Sequence, residues 1–299
     1  MAHRPNNVVI GVPGQLGSEL TIAAPPGLRP IVPLAHAMID VTDAVAVSRL
    51  LRELRPTSVI NTAALHDLTR CENLPDEAFR VNALGALNVA RACASLGARC
   101  VYISTDYVFG DGDDSRVFDA PRFETDLPGP MNTYGLSKLA GEYAVLMSDR
   151  RNLVVRLSGL FGPHEVRGKA GNFVRRIVDQ ARAEAPLRVV ADQWTTLTYA
   201  PEAAAAIWEL VVQEVSGIIH LTNDGPCTWY EVASFILHHE GFPGEVEPLR
   251  LQEMAGVRRP RVSALGSQRL SGLGVSMRPW RAAVASYLQQ LAPAALSPR

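Results

Sequence analysis

The sequence predicts an α/β protein built on a doubly wound parallel sheet, with a smaller C-terminal lobe. Three observations predict it. Short β-branched runs alternate with amphipathic or Ala-rich stretches from residue 1 to about residue 160. Those runs are apolar throughout, as strands covered on both faces are. The first run feeds a glycine-rich turn, Gly11-Val12-Pro13-Gly14-Gln15-Leu16-Gly17, that opens a helix.

Val8-Val9-Ile10 is the first strand, and the helix after the turn runs from Gln15 to about Ala24. Gly11 suits the tight turn, Gly14 lets backbone approach a phosphate, and Gly17 lets the helix lie close to the sheet. Pro30 to Leu34 is a weaker strand whose prolines suit an edge. Thr42 to Leu54 reads as a helix, with Asp43, Ala46, Val47 and Leu50 at helical spacing and Thr42 as N-cap. Ser58-Val59-Ile60-Asn61 is the third strand, Asp76 to Leu96 one long helix, and Cys100 to Ser104 the fourth strand. Asn132-Thr133 starts a helix over Tyr134 to Met147, and Leu153 to Leu157 is the next strand.

Beyond residue 160 the rhythm changes. A glycine-rich loop, Gly162 to Gly171, leads through Asn172-Phe173 into a helix. Leu187 to Val190 and Gly217 to Leu221 read as strands; Ala200 to Val212 and Thr228 to His239 read as helices. An Ala/Leu helix begins near Pro279-Trp280. The expected division is a dinucleotide-binding domain at 1–160, with sheet elements near 187–221 contributing. An interleaved, mainly substrate-binding lobe takes 161–299.

A formal net charge of −1 gives no reason to expect a nucleic acid or an anionic membrane as partner. The short basic run Arg258-Arg259-Pro260-Arg261 suits a phosphorylated small molecule instead. No apolar stretch approaches the roughly 18 residues of a membrane span. The polar start, Met1 to Asn7, lacks a signal-peptide core, so a cytoplasmic location is expected. Cys71, Cys93, Cys100 and Cys227 form no CxxC pair and no metal-ligand spacing with histidine. They read as buried or incidental thiols in a reducing compartment.

Ligands of such sheets sit beyond the carboxyl ends of the strands, where Gly11, Ala63, Thr105 and Ser158 fall. Tyr134 and Lys138, four apart, share one helix face. A phenol beside an ammonium is a proton donor for carbonyl chemistry. A surface tyrosine beside a solvated lysine is the bland alternative. It loses to the order of the motifs: glycine turn, then Ser104-Thr105, then the pair. Together they point to hydride transfer from a nicotinamide dinucleotide to a ketone. The stretch after the second strand, Leu34-Ala35-His36-Ala37, offers neither the acid that selects NADH nor the base that selects NADPH. Arg29 is poorly placed for the latter task, so both cofactors stay open.

Further segments extend the pattern over nearly the whole chain. They are Gly14 to Leu20, Asp40-Val41-Thr42-Asp43, Asn61 to Ala64, Ser104 to Phe109 and Tyr134 to Leu139 with Gly141-Glu142. Asp192-Gln193, Thr198-Tyr199, Arg258-Arg259-Pro260 with Ser263 and Leu265, and Trp280-Arg281 complete it. The sequence resembles the dTDP-4-dehydrorhamnose reductase family of the extended short-chain dehydrogenases/reductases. The resemblance implies a Rossmann-like fold and NAD(P)H-dependent reduction of a 4-keto-6-deoxy nucleotide sugar. It places Gly14, Gln15 and Leu16 at the cofactor pyrophosphate, Asp40 and Val41 at the adenine, and Ala63 and Ala64 at ribose and phosphates. Thr105 and Asp106 would face the sugar, Tyr134 would donate the proton, and Lys138 would reach the nicotinamide ribose. Asn172 would contact substrate, and Arg258 or Arg259 would meet the nucleotide diphosphate, where a guanidinium fork suits phosphate oxygens. Lys138 and the oxidised nicotinamide would lower the Tyr134 pKa. A homodimer is implied, and in some members Mg²⁺ at its interface; Glu19 matches one ligand position of that ion, without a full ligand set.

The sequence departs from the family at several positions. Gly159 stands where a Trp is frequent, and Leu197 replaces a common proline. Leu65-His66 stands for a Tyr-Thr or His-Thr pair, Thr69 for an aspartate and Ile10 for a threonine. The loop from Gly162 to Asn172 is the expected substitute for the missing aromatic wall. Three rival functions remain at this level. An epimerase or dehydratase is disfavoured by the reductase-like Asp106-Tyr107. A non-catalytic regulatory subunit similar to the beta subunit of methionine adenosyltransferase shares the missing Trp and an Arg-Pro-Arg segment. A cofactor sensor would bind dinucleotide without turnover.

Overall fold

The computed structural model describes residues 6–28, 30–110, 118, 120–164 and 171–291. Its first half alternates β1 (Asn6–Ile10), α1 (Gln15–Ala23), β2 (Ile31–Leu34), α2 (Ala44–Leu54) and β3 (Pro56–Asn61). Next come α3 (Leu68–Asn73), α4 (Pro75–Phe79), α5 (Gly85–Ser95), β4 (Arg99–Thr105), α6 (Thr133–Ser148) and β5 (Leu153–Leu157). The second half holds β6 (Leu160–Phe161), α7 (Phe173–Arg182), β7 (Leu187–Val190), β8 (Trp194–Thr195), β9 (Thr198–Tyr199) and α8 (Ala200–Val212). It ends with β10 (Gly217–His220), β11 (Cys227–Thr228), α9 (Trp229–Glu240), β12 (Val246–Leu249) and α10 (Trp280–Leu291).

Six strands form one parallel sheet in the order β2-β1-β3-β4-β5-β10. The order reverses between β1 and β3, which opens the crevice where such sheets take ligands. The apolar strands supply both faces. Val9, Ile60, Val101 and Val155 pack under α1 and α8. Val8, Val59, Cys100, Tyr102 and Val154 pack under α2, α5 and Val145 of α6. Buried residues of α7, α9, α10 and β7 make a separate core around Trp280 and Tyr287. All four cysteines are buried and free. Among the described residues no helix is long and apolar enough to cross a membrane.

The structure differs from the sequence reading at three elements. Asp43, not Thr42, caps α2: its carboxylate accepts from Val45 and Ala46 N–H, while Thr42 bonds back to Asp40. The expected single helix over 76–96 is divided by one π turn at Arg80–Leu84. That wider turn leaves the Asn82 carbonyl to accept from the Tyr102 hydroxyl at 2.7 Å. Leu187–Val190 does not join the central sheet; it pairs with β12, and β10 takes the sheet edge. Arg29 and the loop centre 165–170 lie outside the described residues.

Candidate active site

The glycine turn is closed on a single carbonyl. Gly14 N–H donates to Gly11 O at 2.8 Å. A Cβ at Gly14 or Gly17 would sit 2.6 or 2.7 Å from that same oxygen. Gly11 has φ +100°, and a Cβ there would lie 2.2 Å from Thr62 Oγ1. No side chain caps α1, so its first N–H groups point outward at the sheet crevice. This is a backbone cradle for an anion at a helix N-terminus, and it fits a dinucleotide pyrophosphate. Leu16 presents backbone only, because its side chain is in the core. Gln15 is buried and its Nε2 reaches Gly162 O at 3.4 Å, tying α1 to the loop opposite.

The other expected cofactor positions surround this turn. Ala63 and Ala64 follow β3 and are half-buried, and Ala63 N–H is fixed by Asn61 Oδ1 at 3.1 Å. Val41 turns its side chain inward against Gly85, leaving backbone at the surface. Asp40 is exposed; hydrogen bonds from the Thr42 N–H and hydroxyl hold its carboxyl below the ordinary range.

The end of β4 and the start of α6 carry the titratable cluster. Two glycines set their distance: a Cβ on Gly135 would fall 2.0 Å from Tyr107 O, and one on Gly141 2.3 Å from Asn82 O. Asn132 caps α6, its Oδ1 accepting from Gly135 N–H at 2.8 Å. Tyr134 then stands beside Thr105, whose hydroxyl is hydrogen-bonded to the phenol. The Tyr107 ring meets the Tyr134 ring edge-on at 6.0 Å. Lys138, one turn on, is buried; its Nζ donates to Ile103 O at 2.6 Å and lies 3.9 Å from the Tyr102 ring centre. Burial lowers Lys138 to about 7, while Glu142 pulls the other way.

Burial also pushes the Tyr134 phenol well above its usual range, offset in part by Thr105. The expected lowering concerns the complex with oxidised nicotinamide. In the chain alone the Lys138 ammonium turns to the β4 backbone, and desolvation dominates the phenol.

Asp106 is buried among hydroxyls. Ser263 donates to Oδ2 at 2.6 Å and Thr105 to Oδ1 at 3.1 Å. Burial nonetheless raises its pKa to about 6. Tyr107 is raised to about 12 by burial, with Gln193 and Arg259 bonded to its hydroxyl. Arg258 enters through its carbonyl, which accepts from Asn132 Nδ2 at 3.0 Å. Met131, Leu251, Met254, Arg258, Arg259 and Arg261 contribute to the lining of an adjoining cleft of about 420 Å³. Thr105, Asp106 and Tyr134 therefore lie together, Arg259 joins them through Tyr107, Arg258 through its backbone, and Lys138 lies one helical turn on.

Asn172 does not join them. Its Oδ1 caps α7, and its Nδ2 donates to Gly162 O and the Tyr287 hydroxyl, both at 3.0 Å. In the chain alone those bonds make it a structural cap of α7, and its place as a substrate contact rests on the resemblance. Gln193, Ser158 and Ser263, to which the sequence reading gave no role in the site, contact Tyr107 or Asp106 instead. Their signal was weak: Gln193 and Ser263 lie in segments that matched the family pattern, and Ser158 at a strand end where ligands of such sheets sit.

The matching family model, described as the RmlD substrate binding domain, spans residues 6–292. A dTDP-4-dehydrorhamnose reductase of Mycobacterium tuberculosis is 35% identical over 297 residues, 96% of this chain and 94% of that protein. The chain belongs to the dTDP-4-dehydrorhamnose reductase family. A dTDP-4-keto-6-deoxy-D-glucose reductase of Streptomyces niveus is 34% identical, over 93% of this chain and 94% of its own. A crystal structure of dTDP-4-dehydrorhamnose reductase from Bacillus anthracis, in complex with NADP, superposes with TM-score 0.88 at 31% identity. It covers 96% of this chain and 100% of that one. As a member of this reductase family the protein is an NAD(P)H-dependent oxidoreductase.

Two departures from the family pattern have a structural account here. Gly159 has φ +50°, and a Cβ there would lie 2.7 Å from Thr196 O and 2.8 Å from Leu197 Cδ2. Leu197 occupies the space a larger residue at 159 would need, so the two changes fit together. Glu19, expected at a Mg²⁺ position of some dTDP-4-dehydrorhamnose reductases, is buried, with His164 Nε2 3.5 Å from its Oε1. Among the described residues no group of three or more His, Cys, Asp or Glu side chains is placed to hold a metal ion. Nothing in the described structure supports the expected Mg²⁺.

Proposed function

We propose that the protein reduces the 4-keto group of a dTDP-linked 6-deoxy sugar to the alcohol, using NADPH or NADH. One observation carries the reading. A half-buried phenol and a hydroxyl stand together at the end of β4, and a buried ammonium one helical turn on from the phenol donates to the same strand. The relatives named above supply the substrate class.

Gly14, Gln15 and the N-terminus of α1 would hold the dinucleotide, with Asp40, Val41, Ala63 and Ala64 along its adenosine side. The bound nicotinamide supplies the hydride. Arg258 and Arg259 would hold the diphosphate, which orients the sugar and excludes water from its far side. Tyr134 keeps its proton on Oη at neutral pH and delivers it to the carbonyl oxygen as negative charge develops there. Thr105 has one proton to give. In the chain alone Asp106 Oδ1 and the Tyr134 phenol oxygen compete for it, and a keto oxygen at the strand tip would join that competition. The Lys138 ammonium favours the phenolate that remains.

The test is Tyr134→Phe. Turnover of a dTDP-4-keto-6-deoxy sugar, followed by loss of NADPH absorbance, should fall by about 10²–10⁴-fold. NADPH affinity, measured by fluorescence titration, should stay unchanged. Near-normal turnover in the variant rules the mechanism out.

A further inference from the structure

Beneath Thr105 and Lys138 lies a row of buried polar side chains that the chemistry above leaves unused. Strand register sets Ser104, Arg156 and His220 side by side on β4, β5 and β10. Glu142, one turn beyond Lys138 on α6, closes over the row. Its carboxylate accepts from Arg156 Nε at 2.8 Å, Arg156 Nη2 at 2.6 Å and Ser104 Oγ at 2.5 Å. Both members of the pair are only 2% exposed. A pair this deep is weak support for stability, since apolar side chains of the same volume often do as well. It calls for another use.

His220 continues the row. Its Nδ1 faces two carbonyl oxygens, Arg122 at 3.0 Å and Gly266 at 2.9 Å. Nδ1 therefore carries the proton, and Nε2 offers its lone pair to Arg156 Nη1 at 3.2 Å. The ring is neutral, and burial together with the Arg156 cation keeps it so, below the ordinary histidine range.

Lys138 is unusual for this chain. Lys138 and Lys169 are its two lysines; its other basic side chains, apart from histidine, are arginines. A buried ammonium titrates near neutrality, whereas a guanidinium does not. The ionisable groups around Lys138 are Tyr134 and Glu142 on its own helix and Tyr102 on β4. Asp106 and, from α3, Cys71 bear on Tyr134 instead. Glu142 is the carboxylate whose charge acts on Lys138.

We propose that Glu142 is a positioning residue: clamped one turn from Lys138 by Arg156 and Ser104, and through Arg156 by neutral His220, its buried carboxylate keeps Lys138 protonated where the ammonium rests on Ile103 O, beside the Ser104 that Glu142 itself holds. The kinetic consequence rests on the reaction proposed above; the effect on the Lys138 charge is a property of the chain alone.

Two lysines make a direct test. Protein carrying ¹⁵N- and ¹³C-labelled lysine shows two side-chain signals, assigned with Lys169→Arg. The Lys138 titration is followed in wild type, in Glu142→Gln and in Glu142→Gln/Arg156→Met. Glu142→Gln should lower the midpoint by about one pH unit or more, a tenfold loss of proton affinity. It removes the nearby anion and leaves the Arg156 cation unopposed. The double variant removes both charges of the Arg156–Glu142 pair and so does not strand the guanidinium as the single variant does; it should fold where the single variant does not, and its midpoint should fall between the other two. A Lys138 midpoint equal to wild type in the double variant overturns the proposal. In turnover, the alkaline limb of kcat should move down with the midpoint while KM for NADPH stays within about twofold. A purely structural Glu142 would lower Tm and leave both midpoint and limb in place. A shifted midpoint in an enzyme that turns over no keto sugar keeps this assignment and discards the proposed reaction.

Discussion

Asp106 shows how one side chain can be well hydrogen-bonded and still out of its preferred state. Hydroxyls from Thr105, Ser158 and Ser263 all favour the carboxylate, yet burial outweighs them and lifts the group from 3.8 to about 6. The sign follows from proton counting. Between those two values the folded chain holds a proton on Asp106 that the unfolded chain has lost, so stability falls as pH rises through that window. Above it the ionised group costs on the order of 3 kcal/mol. Asp106→Asn should therefore remove this slope: urea unfolding of the variant should show a smaller loss between pH 4 and pH 7 than wild type. Parallel pH profiles for the two proteins would contradict the assignment. Tyr134→Phe belongs to the same scale, since the phenol hydroxyl is the only group it removes.

Among the elements, α6 is the one whose placement decides the proposed chemistry. Its approach is limited by backbone on two sides, Gly135 against Tyr107 O just beyond β4 and Gly141 against Asn82 O of the π turn. Gly135→Ala should push the helix outward at about 1–3 kcal/mol. It should lower kcat at least tenfold, because Tyr134 is the next residue and misplacement of about 1 Å is expensive in rate. Thermal unfolding and steady-state kinetics check the two effects, and a wild-type kcat would show that the contact is not limiting. Elements with local signals were readable in the sequence. The apolar strands, the glycine turn and the order of Thr105, Tyr134 and Lys138 all lie in short windows of chain. Long-range pairing was not. Nothing near Leu187–Val190 announces that Val246–Leu249 is its partner. The Ser104, Arg156 and His220 row exists only through register between strands far apart in sequence. Asn172 is a related case: its residue type suits a ligand as well as a cap, and its cap role shows only through the long-range Tyr287 contact and the Gly162 contact.

At the scale of the whole molecule, the crevice between β1 and β3 is bounded by two cores, one under the central sheet and one around Trp280. A dinucleotide held across the end of that sheet stabilises the folded chain by mass action. At a concentration one hundred times Kd the gain should be about 2.7 kcal/mol. Comparing NADPH with NADH in thermal unfolding reads out the cofactor preference that the 34–37 stretch leaves open; no stabilisation by either would set the dinucleotide reading aside. One amide links the two halves. Asn132 caps the helix of Tyr134 with its oxygen and holds the arginine segment with its nitrogen, gripping the carbonyl of Arg258 rather than its side chain. The side chain at position 258 can therefore change without breaking the bond to the cap of α6. Under the proposed roles, the fold can exchange the group it shows to a nucleotide and keep Tyr134 where it is, which would separate the evolution of recognition from that of chemistry.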